Sequence, residues 1–282
     1  MLLFSILVAG SFSLGTRAAN LIDPAAITAA RFAVASGVIG GVALASGTGL
    51  PRDAWAAPWR YVLLGGVFAA YFVLMFEGLK TAPPVSAAAV FTLTPLMAAG
   101  FGWLLMRQRL TWRMAGSLAL GGIGALWVIF RGDLVAMARL EFGRGEAIYL
   151  LGCAAHALYT PLVRKLNRGE SPLVFTFGTL VAGAVLLLIW GWGAIRATEW
   201  TQLPGIVWIT LIYVAIFASA VTFVLVQYAT LRLPSAKVMA YTYLTPVWVI
   251  VVEAALGQGL PGAELLPGIV VVVIALLLLL RD

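Results

Sequence analysis

The chain has 282 residues, of which 62% are apolar and only 10% carry a charge, and its mean hydropathy is +1.03. So small a share of polar residues cannot cover a soluble globule of this size, which excludes a water-soluble enzyme or binding domain and indicates an integral membrane protein. The net charge of +7 does not predict a nucleic-acid partner, because the basic residues are spread over short loops.

Apolar runs follow one another in chain order, each about 17 to 25 residues long, as a helix needs to cross a hydrocarbon core roughly 30 Å thick. They are continuously apolar rather than alternating, so the predicted fold class is all-α. The first run ends early at Arg17 and Asn20, but it lacks the features of a secretory signal and is kept as a helix. We predict ten transmembrane helices, near residues 2–20, 24–46, 60–80, 84–106, 112–130, 146–164, 172–194, 204–230, 234–256 and 262–280.

A phrase in the fourth run returns in the ninth. Pro83 is followed by Leu-Thr-Pro at 93–95, and 151 residues later Pro234 is followed by Leu-Thr-Pro at 244–246. Recurrence at a fixed spacing is the signature of an internal repeat, so the chain is expected to consist of two related halves.

The predicted halves are residues 1–130 and 146–282, joined by the charged loop 131–145. The two phrases lie five crossings apart, and an odd number of crossings makes them run in opposite directions, which gives a 5+5 inverted-topology repeat. Transporters use such repeats because one unit in two orientations can open a central cavity to either side in turn. The topology therefore predicts a transporter that works by alternating access.

The basic residues also predict an orientation. If the amino terminus is cytoplasmic, eleven of the 18 Lys and Arg residues fall in inner loops or the tail and seven at outer ends. The positive-inside rule then places both termini in the cytoplasm, in a multi-pass protein of the cell inner (plasma) membrane. Ten helices can enclose a path without a partner, so a monomer in the lipid bilayer is expected.

Pro95 and Pro246 lie about three turns into their runs, where a missing N–H and a ring clash weaken a helix. They are the predicted hinges of the transporter. The alternative is that the neighbouring Thr94 and Thr245 only satisfy the backbone of their own helices.

Helix faces identify candidate residues of the substrate cavity. Tyr241, Thr245 and Trp248 share one face of the ninth run, and the repeat maps Thr245 onto Thr94 in the fourth. Rings and hydroxyls on one face suit an amphipathic solute, although such stripes also serve helix packing.

The third run contributes Tyr71, Met75 and Glu77 to the candidate cavity. A carboxylate facing lipid would be costly, so Glu77 is expected either to turn inward or to pair with Lys80 three residues later. An inward carboxylate would favour the export of organic cations.

The sixth run offers His156 and Tyr159, and the eighth offers Gln227. A titratable side chain near mid-membrane is a functional hypothesis by default, so His156 is either a proton relay or a neutral imidazole bonded to a neighbouring helix. One histidine and one cysteine cannot make a metal site of familiar type, and no cofactor is expected.

Together these residues resemble the drug/metabolite transporter superfamily, and within it the EamA-type ten-helix exporters. The resemblance rests on the five-plus-five spans, Arg31 after Pro24, the repeated Pro-to-Thr-Pro phrase and the glycine-rich fifth run. Taken as a whole, the sequence resembles the branch of these exporters that transports aromatic and other neutral amino acids. Where many members carry Glu after the fourth and ninth spans, this chain has Gln108 and Gln258, which removes two candidates for proton coupling.

The resemblance implies an exporter of amino acids rather than an enzyme. No acidic pair lies mid-membrane, so facilitated or weakly coupled export is expected. The first alternative is a proton-coupled multidrug or organic-cation exporter, for which Glu77 is the discriminating residue. An intramembrane enzyme is a remote alternative, because residues 11–15 lack the first glycine of a nucleophile elbow.

Overall fold

The computed structural model describes residues 1–49, 51–139 and 141–281, and the regular structure of these ranges is entirely helical. Leu140 in the predicted loop 131–145 and Asp282 at the end of the predicted second half lie outside the described residues. The predicted all-α class is confirmed.

Nine helical segments of the described chain are long and apolar enough to cross a membrane, and Leu2–Ala18, the predicted first span, is a shorter apolar helix of 17 residues. The helices are α1 (Leu2–Ala18), α2 (Pro24–Ala45), α3 (Trp59–Leu79), α4 (Pro84–Phe91), α5 (Thr94–Met106), α6 (Trp112–Ile129), α7 (Leu134–Arg139), α8 (Arg144–Leu166), α9 (Pro172–Trp190), α10 (Trp192–Ala197), α11 (Gly205–Ala215), α12 (Thr222–Thr230), α13 (Ser235–Ala240), α14 (Thr245–Ala255) and α15 (Leu266–Arg281). A π-helical segment, Ile216–Val221, joins α11 to α12.

The helix starts follow from local chemistry. The Asp23 carboxylate accepts a hydrogen bond of 2.7 Å from the N–H of Ala25 and caps α2, and Ser171 caps α9 through the N–H of Val174. A proline occupies the first position of both helices, where its missing N–H costs nothing.

The fourth and ninth apolar runs are both broken just before their prolines. α4 ends at Phe91 and α5 begins at Thr94, while a 3₁₀ turn, Tyr241–Leu244, separates α13 from α14. Pro95 cannot donate to the carbonyl of Phe91, and the Thr94 hydroxyl donates to that carbonyl instead, at 2.7 Å. The breaks therefore have a local cause, and the hinge role of Pro95 and Pro246 stays a prediction.

The packing of the helices places α3 in the middle of the bundle. α3 packs against α8 and α9, while α11 packs against α1 and α2. α5 packs against α8 and α13, α14 packs against α1 and α4, and α6 pairs with α15. The cavity described below lies where α1, α2, α3, α4, α8, α12 and the π-helical segment meet.

Close contact between α3 and α9 depends on glycine. A Cβ at Gly65 would lie 2.5 Å from the backbone nitrogen of Gly183 and 2.7 Å from the carbonyl oxygen of Thr179. Backbone atoms cannot move aside as a flexible side chain can, so we expect Gly65→Ala to lower the free energy of unfolding by about 3 kcal/mol. Thermal unfolding in detergent would measure this loss.

Gly37 on α2 provides the matched control. It is exposed, and a Cβ there meets nothing within 4 Å. Gly37→Ala should therefore raise stability by about 0.5–1 kcal/mol through the better helix propensity of alanine. Equal effects of the two substitutions would show that the α3–α9 contact does not limit stability.

A buried ion pair fixes one end of α3. Arg60 is 1% exposed, and its guanidinium donates to the carbonyl of Leu166 at 2.7 Å and to the Glu170 carboxylate at 2.6 Å. Further donation from Arg60 goes to the carbonyls of Ala57 and Ala54, at 3.3 and 3.4 Å. The start of α3 is thereby tied to the end of α8.

Candidate substrate site

A small cavity lies at the centre of the bundle, with a volume of about 10 Å³. Residues of α1, α2, α3, α4, α8, α12 and the π-helical segment line it. Such a volume holds roughly one water molecule, so the protein is closed around its centre and any solute requires the cavity to expand.

Arg31 carries the positive charge of this cavity. It lies about two turns into α2 and is 0% exposed. Its Nε donates to the Ser219 hydroxyl at 2.5 Å, and its Nη2 donates to the carbonyl of Ala218 at 2.6 Å. Within the described ranges Nη1 has no hydrogen-bond partner, and Arg31 forms no ion pair.

Two features of the fold hold Arg31 in place without a carboxylate. Ala218 and Ser219 belong to the π-helical segment, where the wider turn changes the hydrogen-bond ladder and leaves a carbonyl available to a side chain. The Arg31 guanidinium carbon also lies 3.5 Å from the centroid of the Phe72 ring, a cation–π contact. The guanidinium is thus oriented while one nitrogen remains available.

Aromatic rings form a cluster beside this charge, and Phe68 contacts several of them. Its ring stacks on Tyr159 at 4.1 Å between centroids and lies 4.0 Å from Phe223 and 5.0 Å from Phe72. Because these rings fill the middle of the bundle, they occupy the space that the apolar part of a solute would need.

His156 lines the same cavity from α8. The residue is 3% exposed, and its imidazole centroid lies 4.5 Å from that of Tyr71 and 5.3 Å from those of Phe68 and Phe91. Its Nδ1 has no hydrogen-bond partner in the part of the chain that the structure describes. A neutral imidazole offers one acceptor and one donor nitrogen, so the site has a hydrogen-bonding group besides Arg31.

Of the ten residues predicted for the cavity, Tyr71 and His156 line it. Tyr159 lies behind Phe68, where its hydroxyl accepts from Nε2 of Gln227 at 2.9 Å. Met75 is buried in the hydrophobic core. The polar pair of Tyr159 and Gln227 therefore supports the wall of the cavity from outside it.

Glu77 lies away from the cavity. Its carboxylate accepts from the Lys80 ammonium at 2.6 Å, and its side chain is 37% exposed. Of the two arrangements that the sequence left open for this residue, the structure has the local ion pair.

The predicted stripe of the ninth run also lies outside the cavity lining. Trp248 donates its indole N–H to the Ser5 hydroxyl at 3.2 Å, and Tyr241 packs partly buried against the core. Thr94 lies 3.3 Å from Thr242 across the two helix breaks. Thr245 is buried, and its hydroxyl has no partner among the described residues.

Sequence reasoning did not assign a role to Arg31, Phe68, Phe72 or Ser219. An arginine inside an apolar run is a signal in its own right, because a charge at membrane depth is costly and is kept for a function. The three others carry no such signal, since phenylalanine and serine are ordinary in transmembrane helices.

Among the described residues, no group of three or more His, Cys, Asp or Glu side chains is placed to hold a metal ion. The cavity is lined by one guanidinium, one imidazole, several rings and the hydroxyl-bearing residues Ser11, Tyr71 and Thr222.

Comparison with known proteins gives both a family and a fold. The sequence model of the EamA-like transporter family matches residues 1–130 and 143–281. The crystal structure of another protein has a similar fold, with a TM-score of 0.74. The match covers 98% of this chain and 94% of the other chain, and the two sequences are 22% identical. At that identity the likeness shows the fold alone.

Two curated relatives illustrate the range of the family. The uncharacterized transporter YyaM of Bacillus subtilis (strain 168) is 26% identical over 272 residues, 95% of this chain and 88% of the relative. An S-adenosylmethionine/S-adenosylhomocysteine transporter of Chlamydia trachomatis serovar L2 is 27% identical over 188 residues, which span 63% of this chain and 56% of that protein.

Proposed function

This chain belongs to the EamA-like transporter family and is a multi-pass membrane protein, and from that premise we propose that it exports amino acids. The proposed solutes are aromatic and other neutral amino acids, moved across the cell inner membrane by alternating access. Export is facilitated or only weakly coupled to an ion.

The observation that carries this proposal is the unpaired guanidinium of Arg31 in an aromatic cavity. A buried charge without a counter-ion is costly, and a carboxylate arriving with the solute would remove much of that cost. The Nη1 nitrogen is available to it without loss of the bonds to Ser219 and Ala218. The rings of Phe68, Phe72 and Phe223 would receive the apolar side chain of the solute.

The solutes in the name of the chlamydial relative are consistent with this class of solute. S-adenosylmethionine and S-adenosylhomocysteine each contain an α-amino acid group, and the chlamydial transporter carries those names. Their purine would also stack on aromatic rings, so an adenosyl amino acid is a second candidate. The match covers little more than half of the chlamydial transporter. We therefore use S-adenosylmethionine as a test compound in the transport assay.

The packing of the helices supports alternating access by an inverted 5+5 repeat with α1 as its first span. If the first half maps onto the second, the contact of α3 with α8 corresponds to that of α11 with α1, and α3 with α9 corresponds to α11 with α2. The contact of α5 with α8 likewise corresponds to that of α14 with α1. Both halves also carry a broken helix before a Thr-Pro pair, which suits Pro95 and Pro246 as hinges.

The environment of Glu77 argues against an organic-cation exporter. That carboxylate is paired with Lys80 at the surface, and no carboxylate of the described residues lines the central cavity. A cation that brings no carboxylate into the cavity would meet Arg31 and be repelled. The proposal thus remains an amino-acid exporter. Its proposed arrangement is a monomer with both termini in the cytoplasm.

Counterflow in proteoliposomes tests the solute class directly. Vesicles loaded with unlabelled phenylalanine or leucine should accumulate the labelled amino acid, while vesicles loaded with tetraphenylphosphonium should not accumulate that cation. S-adenosylmethionine is assayed in parallel as the second candidate. Exchange of the cation without exchange of any amino acid would refute the proposal.

A further inference from the structure

We propose that His156 recognises the amino group of the transported solute, so that the site binds both charged ends of an α-amino acid. This inference rests on the proposed function and narrows it. Arg31 binds the carboxylate of the solute, and the imidazole accepts a hydrogen bond from its ammonium. Carboxylates that lack the amino group would then be poor solutes.

The first support is the position of His156 relative to Arg31. Both line one cavity of about 10 Å³, and contacts through two rings, those of Phe72 and Tyr71, connect them. The Phe72 ring that stacks on Arg31 lies 4.4 Å from the Tyr71 ring, which in turn lies 4.5 Å from the imidazole. The carboxylate and ammonium of an α-amino acid are attached to one carbon, so the groups that bind them must be close neighbours.

The second support is the hydrogen-bonding capacity of the lining. A guanidinium has donors only, so Arg31 cannot bind an ammonium. A protonated imidazole would place a second positive charge in the small cavity that Arg31 lines, which would be costly, so the proposal takes the imidazole as neutral, with an acceptor nitrogen.

The third support is the setting of the imidazole among rings. The centroids of Tyr71 and Phe91 lie 4.5 and 5.3 Å from that of His156. The faces of aromatic rings carry negative charge density and attract ammonium groups. An ammonium bonded to His156 would thus lie near rings that can attract it.

The experiment compares solutes that differ only in the amino group. Labelled phenylalanine is paired with 3-phenylpropionate, and leucine with 4-methylpentanoate, in counterflow by wild-type protein. We expect each amino acid to exchange about 10-fold or more faster than its partner, which is the range for one hydrogen bond to a charged group. In His156→Leu the preference should fall to about twofold or less, mainly because the amino acid slows.

His156→Asn is the matched variant, since its amide keeps an acceptor near the position of the imidazole nitrogen. It should retain a clear preference for the amino acid, which a purely structural role of His156 does not predict. Thermal unfolding of both variants in detergent verifies that they are folded. Retained discrimination in folded His156→Leu would overturn the inference.

Two other outcomes separate this inference from the proposed function. If His156→Leu slows phenylalanine and 3-phenylpropionate equally, the imidazole acts on the carboxylate and the inference is wrong. If wild-type protein exchanges neither compound, nor leucine or S-adenosylmethionine, the proposed function itself fails. If His156→Leu loses the preference for the amino acid while transport still depends on Arg31, both the inference and the proposed function are supported.

Discussion

Arg31→Met is expected to slow counterflow of phenylalanine or leucine by about 100-fold or more, the range for truncating one partner of a buried charge pair. The same substitution is expected to leave the thermal stability of the empty protein unchanged or raised. Methionine has a volume similar to that of arginine, and it replaces a buried charge that has no counter-ion in the described residues with an apolar side chain.

The combination of lost transport and retained stability is the distinctive part of this prediction. A residue kept only for packing would lose both, because its removal would leave a cavity or an unpaired group. Arg31 has two neutral partners, the Ser219 hydroxyl and the Ala218 carbonyl, and its stacking on Phe72 leaves Nη1 to the solute. Under the proposed function, the Arg31 guanidinium therefore gains its main favourable interaction when the carboxylate of a solute binds to it.

Arg232 offers a matched control for this experiment. Its guanidinium carbon also lies over an aromatic ring, 3.6 Å from the centroid of Tyr228, but the residue is exposed. Arg232→Met should therefore leave counterflow within about twofold of wild type, since it removes a surface cation–π contact of small energy. Arg31→Met with normal amino-acid exchange would refute the carboxylate site.

Arg60→Ala is expected to lower the free energy of unfolding by about 3–5 kcal/mol, the cost of breaking a buried ion pair by removing one partner. Glu170, whose side chain is 8% exposed beside Arg60, would lose its cation, and the carbonyl of Leu166 would lose its donor. Arg52→Ala, at an exposed position of the 3₁₀ turn Arg52–Trp55 before α3, should change stability by less than about 0.5 kcal/mol. Thermal unfolding in detergent distinguishes the two.

Lowering the pH should reproduce part of the loss of stability that Arg60→Ala causes. Burial alone would raise the pKa of Glu170, but hydrogen bonds from Arg60 and from the N–H of Arg168 outweigh it, so the pKa lies below its ordinary value of 4.5. A lowered folded-state pKa contributes stability that is complete above pH 4.5 and is lost as the pH falls through the lowered value. Glu170→Gln should lack this acid-dependent part, and an unchanged acid profile in that variant would contradict the assignment.

The two buried arginines show which features of the candidate site the sequence could predict and which it could not. Arg31 lies inside an apolar run and Arg60 lies at the start of one, but neither position shows which partners the side chain meets. Arg60 is fully paired and ties helix ends together, while Arg31 keeps an unpaired nitrogen in the central cavity. The partners of Arg31 lie 187 and 188 residues away along the chain, so only the folded bundle separates the structural arginine from the candidate binding residue.

The sequence by itself determined the class of the protein, the bounds of its helices and the places where two of them break. Most predicted spans end within two residues of the observed helices, from Pro24–Ala45 to Trp112–Ile129. These features follow from local causes, because the length of an apolar run and the missing N–H of a proline act within a few residues.

The tertiary structure decided which polar groups meet at the centre. Periodicity gave Tyr241, Thr245 and Trp248 a common face but did not fix the direction of that face, and these side chains pack outside the cavity lining. The π-helical segment that holds Arg31, and the ring of Phe68 that fills the cavity, leave no pattern in the sequence. Rotation of a helix about its axis depends on packing against its neighbours, and in an apolar bundle the sequence of one helix does not specify it.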